Sequence, residues 1–539
     1  MFDILQKEKT IAGKGFNRWL VPPAALAIHL CIGMAYGFSV FWLPLSKAIG
    51  ITEAVKCGPD IGFFQELFVS NCDWKVSTLG WMYTLFFVFL GSAAAIWGGW
   101  LERAGPRKAG VVSALCWCGG MLLSALGIYT HQFWLMLLGS GVIGGIGLGL
   151  GYISPVSTLI KWFPDRRGMA TGMAIMGFGG GAMIGSPLAA LLMKNFATPT
   201  DVGVAATFVV MALGYFVFMM AGAFGYRVPA TGWKPEGWTM PAVVESNAMI
   251  TKRHVHVKNA FKIPQFWLIW VVLCMNVSAG IGVIGMASPM LQEIFGGSLI
   301  GVTGALTAEN KTAIAGIAAG FAALLSLFNI GGRFFWASIS DKLGRRLTYS
   351  IFFILGGLCY FSIPSSALSH NLFFFVAAVC IILSMYGGGF ATVPAYLADM
   401  FGSQMVGAIH GRLLTAWATA GILGPVVVNY MRDYQLSIGI PKDQVYNQTM
   451  YILVGMLAVG LIANLFVKPV ADKWFMSDAE LAEEKRLAHE KSEKSVLEGN
   501  SSDTSQSSSL MVILAWTAVG IPLAWGIYKT IVTVGKFFN

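Results

Sequence analysis

Residues Gly98–Lys108 read G-G-W-L-E-R-A-G-P-R-K, and residues Ala337–Arg346 read A-S-I-S-D-K-L-G-R-R. Setting Glu102 on Asp341 also sets Arg103 on Lys342, Gly105 on Gly344 and Arg107 on Arg346, at a constant offset of 239 residues. Outward from each copy lie two apolar runs of about twenty residues, the length that crosses a bilayer. A Pro recurs in the same way, Pro155 ahead of Trp162-Phe163-Pro164 and Pro394 ahead of Met400-Phe401-Gly402. The chain is internally duplicated. Duplicated membrane halves around a shared midplane site are one route to alternating access.

Carried along the whole chain, the same reading gives twelve spans in two halves. The first half runs 19–46, 78–100, 109–129, 132–158, 168–193 and 202–226, and the second 264–290, 312–338, 347–366, 371–397, 406–430 and 446–468. The domain plan is a six-helix bundle over 1–226, a cytoplasmic linker over 227–263 and a second six-helix bundle over 264–468. The linker carries Arg227, Lys234, Lys252, Arg253, Lys258 and Lys262. Residues 469–508 are charged and Ser-rich and read as a disordered cytoplasmic tether. Residues 509–539 hold a further apolar stretch, Leu510 to Ile527. That stretch is long enough for an extra transmembrane helix, and a helix lying at the interface is the competing reading. Trp516 and Trp525 do not define one polar face, which favours the span.

Composition agrees. Of 539 residues, 56% are hydrophobic and 12% charged, about half the ~25% of soluble domains. The 65 glycines and 18 tryptophans suit close helix packing and interfacial anchoring. The first 18 residues are polar and basic (Lys7, Lys9, Lys14, Arg18) and do not read as a cleavable signal peptide. The formal net charge of +10 does not imply nucleic acid, because the cations cluster in alternate loops. These are Arg103, Arg107 and Lys108, then Lys161, Arg166 and Arg167, then Lys342, Arg345 and Arg346. By the positive-inside rule those loops and the N-terminus face the cytoplasm.

The duplicated loop suits a gate built from Glu102, Arg103, Gly105, Arg107, Asp341, Lys342, Gly344 and Arg346. The glycine permits a tight turn, and the acid can cap a helix or pair with arginine while the outer side is open. Arg333 lies about 12 Å inward from Asp341 along span 8 at 1.5 Å per residue. A guanidinium at that depth is costly unless it meets an anion in a cavity, and its planar fork fits a carboxylate. The alternative is a structural arginine paired with a backbone carbonyl or with Asp399.

Asn276 and Asn329 suit interhelical hydrogen bonding or substrate contact. His29 is read as the only deep histidine, packed and hydrogen-bonded or shuttling protons. The Gly-rich runs Gly139–Gly151 and Gly177–Gly185 lack the Lys-Ser/Thr of a phosphate loop and read as packing faces. Of eight cysteines, Cys57 and Cys72 share the first external loop and are either a disulfide or two free thiols. Cys116 and Cys118 form a lone C-x-C with no His or acid nearby. No metal site, cofactor or nucleophile–base pair is expected, and the protein is read as no enzyme.

The doubled loop motif resembles the major facilitator superfamily, a fold of twelve helices in two six-helix bundles. More narrowly, K-W-F-P-D-R-R-G-M-A-T-G-M at 161–173, I-P-Q-F-W at 263–267 and N-I-G-G-R-F-F-W-A-S-I-S-D-K-L-G-R at 329–345 resemble the oxalate/formate antiporter family. The last helix resembles a small single-helix subunit found beside some members. The expected fold class is therefore all-α integral membrane, twelve helices plus one C-terminal helix. The resemblance places a substrate arginine at Arg333 and substrate-facing aromatics at Tyr36, Tyr152, Phe178, Tyr386 and Phe390. It also implies a lysine on span 11 that helps hold a two-charge anion, and Trp417 stands in that place.

One cation balances one carboxylate. The expected cargo is therefore a monocarboxylate such as formate, lactate, pyruvate or acetate, moved by antiport or by symport with a proton. Oxalate/formate antiport is the runner-up, and an anion sensor signalling through 469–508 is the reading from another class. The expected partners are the anion, a proton and the lipid bilayer. The expected setting is a monomer in the plasma (inner) membrane of a bacterium.

Overall fold

The computed structural model describes residues 3–13, 15–51, 53–58, 61–230, 233–237, 249–484, 486 and 507–535. Among them, thirteen helices are long and apolar enough to cross a membrane. They are α1 (Arg18–Phe38), α2 (Thr78–Leu101), α3 (Pro106–Tyr129), α4 (Phe133–Trp162), α5 (Gly172–Phe196), α6 (Val204–Gly225) and α7 (Pro264–Ile300). The rest are α8 (Gly316–Leu343), α9 (Arg345–Leu368), α10 (Leu372–Phe401), α11 (Val406–Ser437), α12 (Asn447–Phe466) and α13 (Ser509–Val532). Large apolar side chains such as Leu213, Val217, Leu358, Phe361, Ile462 and Ile521 are exposed. A water-soluble surface would not tolerate such a band, whereas lipid does.

The duplicated loops form the same turn twice. Gly105 (φ 86°) is the single residue between the helices carrying α2 and α3, and Gly344 (φ 84°) does the same between α8 and α9. The left-handed backbone there favours glycine. The aligned arginines also act alike. Arg107 donates to the Phe224 carbonyl at 3.4 Å in the last turn of α6, and to Ile4 O at 2.9 Å. Arg346 donates to the Asn464 carbonyl at 3.3 Å, and to that of Leu465, in the last turn of α12. Each neutralises carbonyls that a helix C-terminus leaves unpaired.

The halves meet where α5 packs on α8 and α2 on α11, pairs that the 239-residue repeat interchanges. A Cβ on Gly91 of α2 would stand 2.6 Å from the Leu414 carbonyl of α11, so only glycine lets these backbones approach so closely. The run Gly139–Gly151 packs α4 against α3, where Ser113 Oγ donates to Gly147 O at 2.7 Å and Ser124 and Ser140 hydroxyls pair at 2.7 Å.

On the face opposite the N-terminus, Cys57 and Cys72 form a disulfide. The neighbouring Asp73 carboxylate accepts from the amides of Ile49, Gly50 and Val55 at 2.7, 3.1 and 2.8 Å. The C-terminal tail differs from the free tether expected from residue 469. Met476 N donates to His254 O at 2.8 Å, and Arg253 pairs with Asp472 and lies 4.4 Å over the Phe475 ring. The apolar and charged groups of 472–476 thus dock on the linker, while residues 485 and 487–506 of the tether lie outside the described residues.

Helix α13 lies along α1, α5 and α8, so it touches both sides of the α5–α8 seam. Val519 is buried against Leu26 and Ala27, Trp516 Nε1 donates to Trp19 O at 3.1 Å, and Leu523 and Ile330 both lie against Gly180. In lipid there is no hydrophobic drive for this contact, so packing and hydrogen bonds hold it. A chain ended after residue 506 is therefore expected to insert and keep its transport activity. Its melting temperature in fluorescence-monitored unfolding should fall by roughly 2–5 °C. An unchanged melting temperature would mean that α13 is not docked.

Candidate functional site

Arg333 is fully buried near the middle of α8. Its Nε donates to Asn329 Oδ1 at 3.0 Å, one turn earlier, and its Nη1 to the Ile175 carbonyl of α5 at 3.1 Å. A Cβ on Gly179 would stand 3.1 Å from that Nε, so α5 presents bare backbone to the guanidinium. The plane is flanked by Phe178 and Phe390, with ring centroids 5.9 and 5.4 Å from Cζ, a cation–π setting. No ion pair to Arg333 is found among the described residues. Asp399, the acid considered for it, instead accepts from Arg345 Nε at 3.0 Å.

Five further helices bring the remaining sequence-named residues to the same place. Tyr36 of α1 and Tyr386 of α10 share a hydrogen bond of 2.7 Å between their hydroxyls. Trp417 of α11 stacks within 4.3 Å of Phe390, 5.0 Å of Tyr152 and 5.5 Å of Phe178, by ring centroids. Tyr36 meets Phe178 at 5.0 Å and Tyr152 meets it at 5.6 Å. Arg333, Tyr36, Tyr152, Phe178, Tyr386, Phe390 and Trp417 therefore form one connected cluster at the junction of the two halves.

Three donors in this cluster, Arg333 Nη2, Tyr152 OH and Trp417 Nε1, are buried without a hydrogen-bond partner among the described residues. Buried polar groups are almost always satisfied, so unpaired donors beside an uncompensated cation call for an acceptor that carries negative charge. The arrangement can hold one small anion between a cationic fork and aromatic walls.

Phe87 of α2 belongs to the same wall, 5.5 Å from Trp417 and 6.0 Å from Tyr36. Sequence reasoning missed it, because one phenylalanine among 37 has no signal of its own. His29 takes the packed alternative: its ring nitrogens face the carbonyls of Ala174 and Tyr152, and it stacks on Tyr152 at 5.5 Å. It is not the only deep histidine. His410 of α11 is 2% exposed, because the first turns of α11 pack on α2 and α10.

The gate residues stay within their own halves. Asp341 accepts from Arg345 Nη2 at 2.6 Å, making an Asp341–Arg345–Asp399 chain between α8, α9 and α10. Arg103 and Lys342 are exposed, and the Glu102 side chain lies outside the described residues. The acid–base partner that sequence reasoning missed is Arg345, which the repeat sets opposite Pro106 and therefore hides.

On the N-terminal face, a narrow cleft of about 50 Å³ lies between α4, α10 and α11. Ile153, Ser157, Lys161, Pro394, Gln404 and His410 are among its lining residues. It reaches the cluster where His410 lies 6.4 Å from Tyr152 by ring centroids.

The family model of the Major Facilitator Superfamily matches residues 25–425 and, in a second match, 303–534. The chain belongs to the Major Facilitator Superfamily. It is a multi-pass membrane transporter and not an enzyme. It is 25% identical over 412 residues to the oxalate:formate antiporter of Oxalobacter formigenes, covering 76% of this chain and 83% of that one. It is 26% identical over 342 residues to apicoplast pyruvate carrier 1 of Toxoplasma gondii, covering 54% and 59% of the two chains. A variant of the fucose:proton symporter FucP of E. coli superposes with a TM-score of 0.51 at 13% identity, over 84% of this transporter and all of that chain. The last likeness speaks for the fold alone. By their names, the first two of these proteins exchange oxalate and formate and carry pyruvate.

Proposed function

We propose that this protein carries small monocarboxylates, such as formate, acetate, lactate or pyruvate, by alternating access. The observation that carries the reading is Arg333, a fully buried cation with no ion pair and an unpartnered Nη2 among the described residues. A single cation in a low-dielectric site balances one carboxylate, and a dicarboxylate would leave about one charge uncompensated. Trp417 lends a neutral donor and an apolar wall, Tyr152 a hydroxyl, and Phe178 and Phe390 exclude water around the anion. Tyr36 and Tyr386 join the halves through their hydroxyls and part when the site opens.

The bundles 1–226 and 264–468 rock about this site, and the duplicated loops around Gly105 and Gly344 bound the motion. The N-terminal face is the cytoplasmic face of a bacterial inner membrane, on the strength of its Lys and Arg content. Among the described residues no acid pairs with Arg333 to take up a proton, so exchange, or a proton travelling with the substrate, fits the site. The second reading is oxalate:formate antiport, favoured by the printed activity of the Oxalobacter relative.

Counterflow in proteoliposomes tests both. Vesicles loaded with formate, acetate, lactate or oxalate are expected to take up labelled monocarboxylates while oxalate stays inert. Strong oxalate exchange would transfer the assignment to the antiporter reading, and no exchange of any carboxylate would remove it.

A further inference from the structure

We infer that His410 forms a second binding station for the carboxylate, between Arg333 and the N-terminal face; this rests on the monocarboxylate reading above. The imidazole is 2% exposed, yet its Nε2 has no hydrogen-bond partner among the described residues. An interior nitrogen without a partner is an exception to the pairing of buried polar groups. Here the exception sits on the lining of a cleft. His410 lines that cleft beside Ile153, Ser157 and Lys161 of α4 and Gln404 ahead of α11.

The cleft favours an anion. Lys161 lines it, and none of its described lining residues is acidic. His410 precedes Trp417 by seven residues across the break in α11 at Leu414, and both rings meet Tyr152, at 6.4 and 5.0 Å between centroids. Donors therefore follow one another from the N-terminal face inward: Lys161, His410, Tyr152, Arg333. The backbone fixes the direction of the ring. A Cβ on Gly411 would stand 2.8 Å from the Ala94 carbonyl of α2, so α11 presses on α2 at Gly411 and holds the preceding residue toward α4. With Nε2 protonated, the imidazole donates to a carboxylate oxygen without needing a formal charge of its own.

A carboxylate stopped at His410 is partly desolvated before it reaches Arg333. Every carboxylate that crosses passes the station, on entry from one face or on exit from the other, so its loss lowers exchange in both directions alike. The test uses the full-length chain in vesicles of both orientations, read by a protease-cleavable N-terminal tag, with labelled acetate as the probe and saturating acetate on the far side. The wild-type chain is measured first. If it moves no carboxylate, the functional reading falls and this inference with it.

Given wild-type exchange, His410→Phe is expected to lower kcat/KM from the N-terminal face about tenfold, the loss of one hydrogen bond to a charged group. From the opposite face the loss should be the same within about twofold, because both directions cross the same loaded states. His410→Gln, which keeps a donor, should restore most of the loss. If gel filtration shows the Phe variant to be aggregated, His410→Leu is read in its place. No loss from either face, a loss confined to one face, or a Gln variant as impaired as Phe would overturn the station.

Discussion

Replacing Arg333 by alanine is expected to lower carboxylate exchange at least about 100-fold, while the protein still inserts and runs as a single species. Two charge-assisted hydrogen bonds to a buried anion, at roughly 1.5–3 kcal/mol each, account for a factor of that size. The folded protein should not suffer. The guanidinium makes hydrogen bonds at 3.0 and 3.1 Å to Asn329 and Ile175, yet it is a buried charge with no ion pair among the described residues. Removing an uncompensated charge is often neutral or stabilising. Transport and stability should therefore move apart, which distinguishes a substrate residue from a structural one. Arg333→Lys keeps the charge but loses the planar fork and its contacts with Phe178 and Phe390, and should fall between wild type and alanine. Exchange by Arg333→Ala within threefold of wild type would sink the site, and a large drop in melting temperature would revive the structural reading.

The second large effect is expected at Trp417. Trp417→Lys should raise oxalate exchange from background and depress acetate exchange at least about tenfold. An ammonium there would share the aromatic cage with Arg333, and two like charges in a low-dielectric pocket repel unless an anion of matching charge lies between them. The variant should consequently be less stable than wild type when empty. Oxalate should stabilise it by mass action, by about 2.7 kcal/mol when oxalate is present at 100 times its dissociation constant. Thermal unfolding with and without oxalate, beside counterflow of both anions, reads this directly. Oxalate inert in both assays, with acetate exchange intact, would mean that charge counting does not set the cargo.

Legibility in the sequence followed the physics of each feature. Arg333 announced itself because an arginine eight residues inside a span is expensive, and its depth could be counted from Asp341. Gly105 and Gly344 stood out because a turn between two spans repeats with its acid and its arginine. Tyr36, Tyr152, Phe178, Tyr386, Phe390 and Trp417 came from the family resemblance, since in a chain with 13% aromatics no periodicity separates a cage from a packing face. Phe87 had neither signal. His410 was passed over because the first turns of a span look exposed until α2 and α10 are laid over them, where the ring is 2% exposed. Arg345 was concealed because the repeat pairs it with Pro106, so its link to Asp399 has no counterpart in the first half.

Local chemistry was legible along the chain: thirteen apolar runs of bilayer length, the doubling of the first twelve, and one arginine too deep to be solvated. Each follows from the cost of leaving backbone or charge in hydrocarbon, a cost every residue bears wherever its neighbours are. Only the tertiary structure decided which residues meet. It joined Tyr36 to Tyr386 across 350 residues, gave Asp399 to Arg345 and, among the described residues, set no acid against Arg333. It also laid α13 over the α5–α8 seam. These are pairings between helices, and apolar helices in lipid select one another through shape and hydrogen bonds, which a linear pattern of hydropathy does not encode.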